Sequence, residues 1–242
     1  MERLQFDWVT IFQGESINWI ITGLINTVLI TVISSIFATV LTIILFFFKK
    51  TSHHLITILI DLLTSIIRKT PFLIQLFFWY FAAWNALPNY WIETISNYSN
   101  IKIFEYDIYL FTSEFICSVW SLSLFISVYL IEELQSGLNR LSKGQKEAAL
   151  SQGLSMWCIY YKILLPQGIK NAWQPIISQY LNLIKLSSLT SAIGFGELTY
   201  HIHQIESFNA HSIEAFAIGT FLYLILGLLL STSLSYFFQK KS

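Results

Sequence analysis

The chain has 242 residues, of which 55% are hydrophobic and 17% aromatic, and its 14 acidic side chains balance its 14 basic ones. Charged residues make up only 12%, whereas globular domains carry roughly 25%, so the polar groups are too few to cover a water-soluble body of this size. We therefore predict a membrane protein. Zero net charge argues against nucleic acid as a partner, because phosphate binding requires a basic face.

Five apolar stretches are predicted to cross the bilayer, which takes about 20 helical residues. They run from about 24 to 48, 55 to 84, 111 to 131, 172 to 195 and 213 to 238. The second stretch is unusual, because it contains Asp61, Arg68 and Lys69, and Pro71 removes a backbone donor there. Its two halves are each too short to span, so we expect them to cross once, with a break. The pattern predicts an all-α polytopic membrane protein with about five transmembrane helices.

The lysines and arginines indicate the orientation, since they concentrate in cytoplasmic loops. Nine of them follow the first stretch, separate the third from the fourth, or end the chain: Lys49, Lys50, Arg140, Lys143, Lys146, Lys162, Lys170, Lys240 and Lys241. The remaining loops are mostly acidic. Five crossings with the N-terminus outside and the C-terminus inside satisfy every loop.

The loop between the third and fourth stretches has the pattern of a helix, a turn and a second helix. Ser142 with Gln145 has the form of a capping box, which begins a helix. Gly153 is suited to end that helix in a left-handed turn. Ser155 is suited to cap a second helix from 156 to 165, which Pro166 follows at the membrane edge. We therefore predict a cytoplasmic helix-turn-helix.

Two adjacent alanines, Ala148 and Ala149, lie on the first of these helices. Alanine is the residue most favourable to a helix, so the pair has a purely structural explanation. Alanines also allow another surface to approach the backbone closely, and Gly153 would fix the angle between the two helices. The residues alone leave both interpretations open.

The loop resembles a motif of a known family. Glu147-Ala148-Ala149, then Gly153, then 163–166 (Ile-Leu-Leu-Pro) are similar to the EAA loop of the membrane subunits of ATP-binding-cassette importers. The resemblance covers roughly residues 20–240 and points to the polar amino-acid branch through a further set of residues: Arg68, Thr70, Pro71, Gln75, Tyr129, Glu132, Asn182, Lys185 and Ser188. Two positions depart from the family pattern, because Lys69 stands where glycine is usual and Leu186 where a polar, often acidic residue is usual.

The resemblance implies that residues 1–242 form one transmembrane domain, a permease subunit that carries a polar amino acid across the bacterial cytoplasmic membrane. It implies three kinds of partner: two cytoplasmic ATPase subunits, a second permease that is identical or related, and an extracytoplasmic solute-binding protein. The chain has no GxxxxGK[ST] sequence, so ATP and magnesium are expected on the ATPase, and this chain is expected to be neither an enzyme nor a cofactor binder. Coupling is assigned by resemblance to residues in the EAA loop, about 140–168: Glu147, Ala148, Ala149, Gly153 and Leu154.

A substrate pathway is hypothesised from charged and helix-breaking residues within the apolar stretches: Arg68, Thr70, Pro71, Gln75, Glu132, Lys185 and Ser188. Burying a charge at mid-membrane costs about 2.5 to 3.5 kcal/mol, so Arg68 and Glu132 are expected to lie near each other and Lys185 to face a cavity or a subunit interface. The alternatives are that Arg68 and Lys69 snorkel to the inner interface, that Glu132 only ends its helix, and that Pro71 only restarts a helix.

Three histidines, His201, His203 and His211, fall in an outer loop without a recognisable ligand set, so we expect exposed histidines and no metal site. Other function classes fit less well. A scaffold holding an ATPase without moving solute stays open, a secondary carrier needs a coupling-ion site and usually inverted repeats, and an intramembrane enzyme lacks a nucleophile and base.

Overall fold

The computed structural model describes residues 8–12, 14–51, 54–97, 101–103, 106–108 and 111–239. Eleven α-helices occur in these ranges: α1 (Trp8–Ile11), α2 (Glu15–Thr51), α3 (His54–Lys69), α4 (Phe72–Phe77), α5 (Asn89–Asn97), α6 (Ser113–Asn139), α7 (Lys143–Ser151), α8 (Met156–Cys158), α9 (Leu165–Ser187), α10 (Leu198–Asn209) and α11 (Ser212–Gln239). Two π-helices (Phe78–Ala83, Ile159–Leu164) and one 3₁₀-helix (Ser188–Ile193) extend them. In the described ranges, β1 (Ile101–Ile103) and β2 (Tyr106–Ile108) form one short hairpin and no other strand occurs. The remaining elements are helices, so the all-α prediction is confirmed.

Three of the described helices are long and apolar enough to cross a membrane: Glu15–Lys49, Ser113–Asn139 and Ser212–Tyr236. The second predicted crossing is split, as expected, into α3 and the α4 helix with its π extension, Phe72–Ala83. The fourth corresponds to α9, whose composition is more polar. The count of five crossings and their direction stay predictions.

Helix α6 lies at the centre of the bundle, and α2 and α9 pack along it. Its buried residues include the small Ser118, Ser121, Ser123 and Ser127, which let neighbouring helices approach closely. The Ser123 hydroxyl donates to the Ser34 carbonyl of α2 at 3.2 Å. These short polar side chains therefore join α6 to α2 without placing a charge in the apolar interior.

Helices α2 and α11 lie at the periphery and leave much of their apolar surface uncovered. Ile43 on α2 and Phe221 on α11 are each 61% exposed. A water-soluble protein would bury such side chains, whereas lipid tails solvate them. This surface supports the membrane prediction.

The second loop helix does not end at Leu165, so this predicted bound is wrong. Residues Met156 to Ser187 continue through α8, the π-helix and α9 without interruption. Just before the proline, the Leu165 N–H donates five residues back to the Tyr160 carbonyl. Pro166 then occupies the first turn of α9, where its missing N–H is tolerated. The second loop helix and the fourth apolar stretch are therefore one element.

The predicted outer loop after the fourth stretch also contains a helix. The 3₁₀ turn ends at Gly194, whose φ is +87°, and α10 begins after Glu197. His201 and His203 lie on α10, and His201 is buried at 9% exposure. The expectation of an exposed loop histidine is wrong for His201, because α10 packs between α2 and α11.

Candidate functional site

The EAA loop has the predicted turn. Helix α7 is followed by Gly153, whose φ is +74° and whose N–H donates to the Leu150 carbonyl at 2.9 Å. Glycine adopts this left-handed conformation at no steric cost. Ser155 caps the next helix, because its hydroxyl accepts the Cys158 N–H at 3.3 Å. The turn at Gly153 and the cap at Ser155 are both confirmed.

The predicted capping box at the start of α7 is wrong. Ser142 occupies the cap position with extended backbone, but no side chain forms a capping hydrogen bond there. The Gln145 N–H donates to the backbone carbonyl of Ser142 at 3.2 Å instead. The helix begins where the sequence predicts, although its first turn is closed by the backbone.

The two adjacent alanines of the EAA loop face opposite surroundings. Ala149 is 5% exposed and packs with Ile159 and Leu164 in a small core of the loop, to which the partly buried Leu154 also contributes. Ala148 and Glu147 are exposed. Of the predicted coupling residues, Glu147, Ala148 and Gly153 therefore present the accessible surface, and Ala149 and Leu154 support it from within.

Sequence reasoning missed four large apolar side chains beside that surface. They are exposed by 44% to 72% and lie on α7, on α8 and in the π-helix: Leu150, Met156, Trp157 and Tyr161. The Trp157 ring packs against the Phe47 ring of α2, with 4.7 Å between the ring centroids. A signal was present, because large apolar residues in a loop that also carries several lysines suggest an interaction surface.

Arg68 and Glu132 lie together, as predicted. An Arg68 Nη1 is 2.7 Å from a Glu132 carboxylate oxygen, and the guanidinium carbon lies 6.0 Å from the centre of the Tyr129 ring. The pair lines a polar recess of about 450 Å³. A second ion pair in the same recess joins Lys49 Nζ to Asp61 at 2.5 Å. The two pairs attach the polar face of α3 to α2 and α6.

The break in the second apolar stretch lies at Thr70 and Pro71, as predicted. The Gln75 side-chain amide lies 2.7 Å from the Ile67 carbonyl, 3.0 Å from the Thr70 carbonyl and 2.7 Å from the Thr70 hydroxyl. Its two N–H groups are shared among these three acceptors. Unwound backbone in a membrane persists only where such partners satisfy it, so Gln75 stabilises the interruption between α3 and α4.

Lys185 and Ser188 line a groove of about 640 Å³ between α9 and α11, together with Thr199 and Tyr223. The Lys185 side chain is exposed and forms no ion pair within the ranges that the structure describes. This groove and the recess at Arg68 share no lining residue. The structure therefore divides the hypothesised pathway residues between two separate cavities and the α3–α4 break.

A buried polar cluster adjoins the groove, and sequence reasoning did not find it. Glu197 is fully buried and caps α10, because its carboxylate accepts the Tyr200 N–H at 2.9 Å. The Tyr223 hydroxyl donates to its other oxygen, and the Thr27 hydroxyl accepts the Leu198 N–H at 3.0 Å. Burial raises the pKa of Glu197 to about 7, against the lowering effect of its hydrogen bonds. This cluster fixes α10 to α2 and α11.

Relatives of known type cover most of the chain. The arginine transport system permease protein ArtQ of Bacillus subtilis (strain 168) is 30% identical over 215 residues, which is 89% of each chain. The glutamate/aspartate import permease protein GltJ of Escherichia coli (strain K12) is 26% identical over 210 residues, 87% of this chain and 82% of that protein. A putative glutamine transport system permease protein GlnP of Rickettsia felis is 30% identical over 84% of each chain.

Solved structures share the fold. A crystal structure of an amino acid ABC transporter with histidines superposes with a TM-score of 0.77 at 24% identity, over 98% of this chain and 100% of that one. An inward-facing structure of the MetNI methionine ABC transporter gives 0.71 at 16% identity. The model of one family, described as binding-protein-dependent transport system inner membrane component, matches residues 8–242. The chain is therefore a multi-pass membrane protein that belongs to the family of inner membrane components of binding-protein-dependent transport systems.

Proposed function

We propose that this chain is the permease subunit of an ATP-binding-cassette importer that moves a polar amino acid into the cell, driven by ATP hydrolysis on separate subunits. The observation that carries the proposal is the EAA loop, in which the accessible Glu147 and Ala148 are held at a set angle by Gly153. The relatives that transport arginine, glutamate, aspartate and glutamine support the amino-acid class.

The proposed arrangement in the membrane has five crossings, with the N-terminus outside and the C-terminus in the cytoplasm. Residues 1–242 act as one transmembrane domain. The broken α3–α4 segment counts as one crossing, and α9 counts as another. The lysines in and beside the EAA loop support a cytoplasmic position for it, where ATPase subunits would reach it.

The partners proposed are two cytoplasmic ATPase subunits, a second permease and an extracytoplasmic solute-binding protein. ATP and Mg²⁺ would be held by the ATPases. Glu147, Ala148 and Gly153 would meet the ATPase, and the apolar side chains Trp157 and Tyr161 would extend that contact. An ATPase that prefers one conformation of this loop can drive a conformational change, because only differential affinity shifts such an equilibrium.

The solute path is proposed to pass the charged and interrupted parts of the bundle. Its residues are those of the recess, the break and the groove: Arg68, Thr70, Pro71, Gln75, Glu132, Lys185 and Ser188. Lys185, the one charged residue among those that the structure describes around the groove, would attract the carboxylate that every amino acid carries. The hydroxyl groups of Ser188 and Thr199 also line the groove and would accept hydrogen bonds from the ammonium group.

The test is uptake of a panel of radiolabelled amino acids into liposomes that contain the purified permease–ATPase complex, with the binding protein supplied outside. Accumulation of one amino acid with enclosed ATP, and none with enclosed ADP, is the expected result. A complex that accumulates no amino acid with ATP, or that accumulates one without ATP in response to an ion gradient, contradicts the proposal.

Reversing either charge of the Arg68–Glu132 pair is expected to lower uptake strongly, and reversing both is expected to restore most of it. Each single reversal places two like charges side by side, whereas Arg68→Glu with Glu132→Arg re-forms the pair. An isolated charge in the membrane costs about 2.5 to 3.5 kcal/mol. Uptake by the two single variants and the double variant, normalised to complex in the liposomes, measures the effect.

Lys69→Glu provides the comparison for that cycle. Lys69 follows Arg68 in α3 and has no ion-pair partner in the described part of the chain, so its reversal is expected to lose less uptake than Arg68→Glu. A double variant that transports no better than the single ones would contradict a role of the ion pair in transport.

A further inference from the structure

Helices α6 and α9 cross in direct backbone contact at the base of the EAA loop. A side-chain carbon added at Gly137 would lie 2.3 Å from the Gly168 carbonyl oxygen and 2.7 Å from the Ala172 side chain. A carbon added at Gly168 would lie 2.5 Å from the end of the Leu138 side chain. All three small residues are buried. Only glycine at 137 permits this approach.

Polar contacts hold the same crossing together. The Asn171 side-chain amide of α9 donates to the Gly137 carbonyl of α6 at 3.3 Å. Arg140, just after α6, donates to the Asn171 carbonyl at 3.4 Å. Farther from the EAA loop along both helices, the Gln179 amide of α9 donates to the Glu133 carboxylate of α6 at 3.2 Å. The two helices are therefore joined at two levels.

The loop itself is attached to this crossing. Leu138 packs against the loop core of Ala149, Ile159 and Leu164, and it is also the side chain that Gly168 faces. Gly137 lies near the end of α6, and Gly168 lies near the start of α9, so both ends of the loop adjoin the contact. A displacement applied to α7 therefore reaches both helices at one point.

We propose that the Gly137–Gly168 contact is the fulcrum that makes the EAA loop, α6 and α9 one rigid lever. Movement of the loop is transmitted to Glu132 on α6 and to Lys185 on α9 together. Gly137 and Gly168 are thus positioning residues that act between the ATPase contact and the solute path. The inference rests on the proposed function.

The experiment measures amino-acid uptake per ATP hydrolysed in the reconstituted complex, together with its thermal unfolding temperature. Gly137→Ala brings its added carbon to 2.3 Å from the Gly168 carbonyl oxygen, so the helices must shift apart, and a misplacement of about 1 Å costs up to about 100-fold in a catalytic geometry. We expect uptake per ATP to fall at least about 10-fold while hydrolysis continues. Gly144→Ala is the matched control, since no atom lies within 4 Å of the added carbon.

A second pair of variants keeps the test independent of folding. Gly168→Ala meets only the flexible end of Leu138, so its complex is expected to assemble with lowered uptake per ATP. Leu138→Met with Gly168→Ala lets an unbranched side chain turn away from the added carbon while an apolar residue still packs on the loop core, and it is expected to regain most of the coupling. Wild-type uptake per ATP in Gly137→Ala or in Gly168→Ala overturns the fulcrum, as does a double variant no better than Gly168→Ala. A wild-type complex without ATP-driven uptake would instead overturn the proposed function.

Discussion

A complex carrying Gly153→Ala is expected to lose about 10-fold of its ATP-driven uptake. Gly153 has a φ of +74°, and the left-handed conformation costs an L-residue roughly 1 to 2 kcal/mol. Relief of this strain is expected to change the angle between α7 and the helix that begins at Met156, and the ATPase is proposed to bind at these two helices. A difference of about 1.4 kcal/mol is tenfold in population. Uptake and ATPase co-purification, measured on the same preparations, check this result.

Gly144→Ala is the matched control, because it makes the same substitution nine residues earlier in the same loop. Gly144 lies within α7, its φ is not positive and nothing lies within 4 Å of an added carbon. Alanine is favoured over glycine in a helix, so this variant is expected to transport normally. Gly153→Asn is expected to fall between the two, since asparagine tolerates the left-handed region. Equal uptake by Gly153→Ala and Gly144→Ala would refute the role of the turn.

The features that the sequence predicted correctly are those that depend on a few neighbouring residues. Pro71 has no N–H donor and therefore interrupts its helix. Gly153 forms the left-handed turn, and Ser155 caps the helix that follows. Arg68 and Glu132 were paired by a different argument, because two opposite charges in lipid have few other partners. The break and the turn therefore follow from local chemistry, and the ion pair follows from the scarcity of other partners for a charge in lipid.

The errors arose where distant segments decide. The second loop helix is predicted to end at Leu165, yet a π turn before Pro166 removes the need for the proline's missing hydrogen bond, and the helix continues. His201 was expected in solvent, yet the packing of α10 against α2 and α11 buries it. The Gly137–Gly168 contact was not foreseen, because each glycine alone reads as an ordinary small residue. Such features require the geometry of two helices at once.

Glu197→Gln is expected to abolish a large pH dependence of stability. The wild-type carboxyl is fully buried and burial raises its pKa to about 7, from an ordinary value of 4.5 for glutamate. Between these values the folded protein holds a proton that the unfolded chain has released, so stability falls as pH rises through this window. At 1.36 kcal/mol per pKa unit, the loss is about 3 kcal/mol by pH 8. Glutamine has no such proton and shows no such fall.

Replacing the carboxyl group by an amide also removes a hydrogen bond, and this loss must be subtracted from the expected gain in stability. Glutamine can still accept the Tyr200 N–H, but it cannot also accept the Tyr223 hydroxyl on its second terminal atom, a loss of about 1 kcal/mol. We therefore expect Glu197→Gln to be more stable than wild type by about 2 kcal/mol at pH 8 and less stable at pH 5. The free energy of unfolding of the purified protein, measured across this pH range, shows whether the two stability curves cross. Substitution of the exposed Glu93 by Gln is the control. Parallel pH curves for wild type and Glu197→Gln would mean that the buried carboxyl does not titrate in this range.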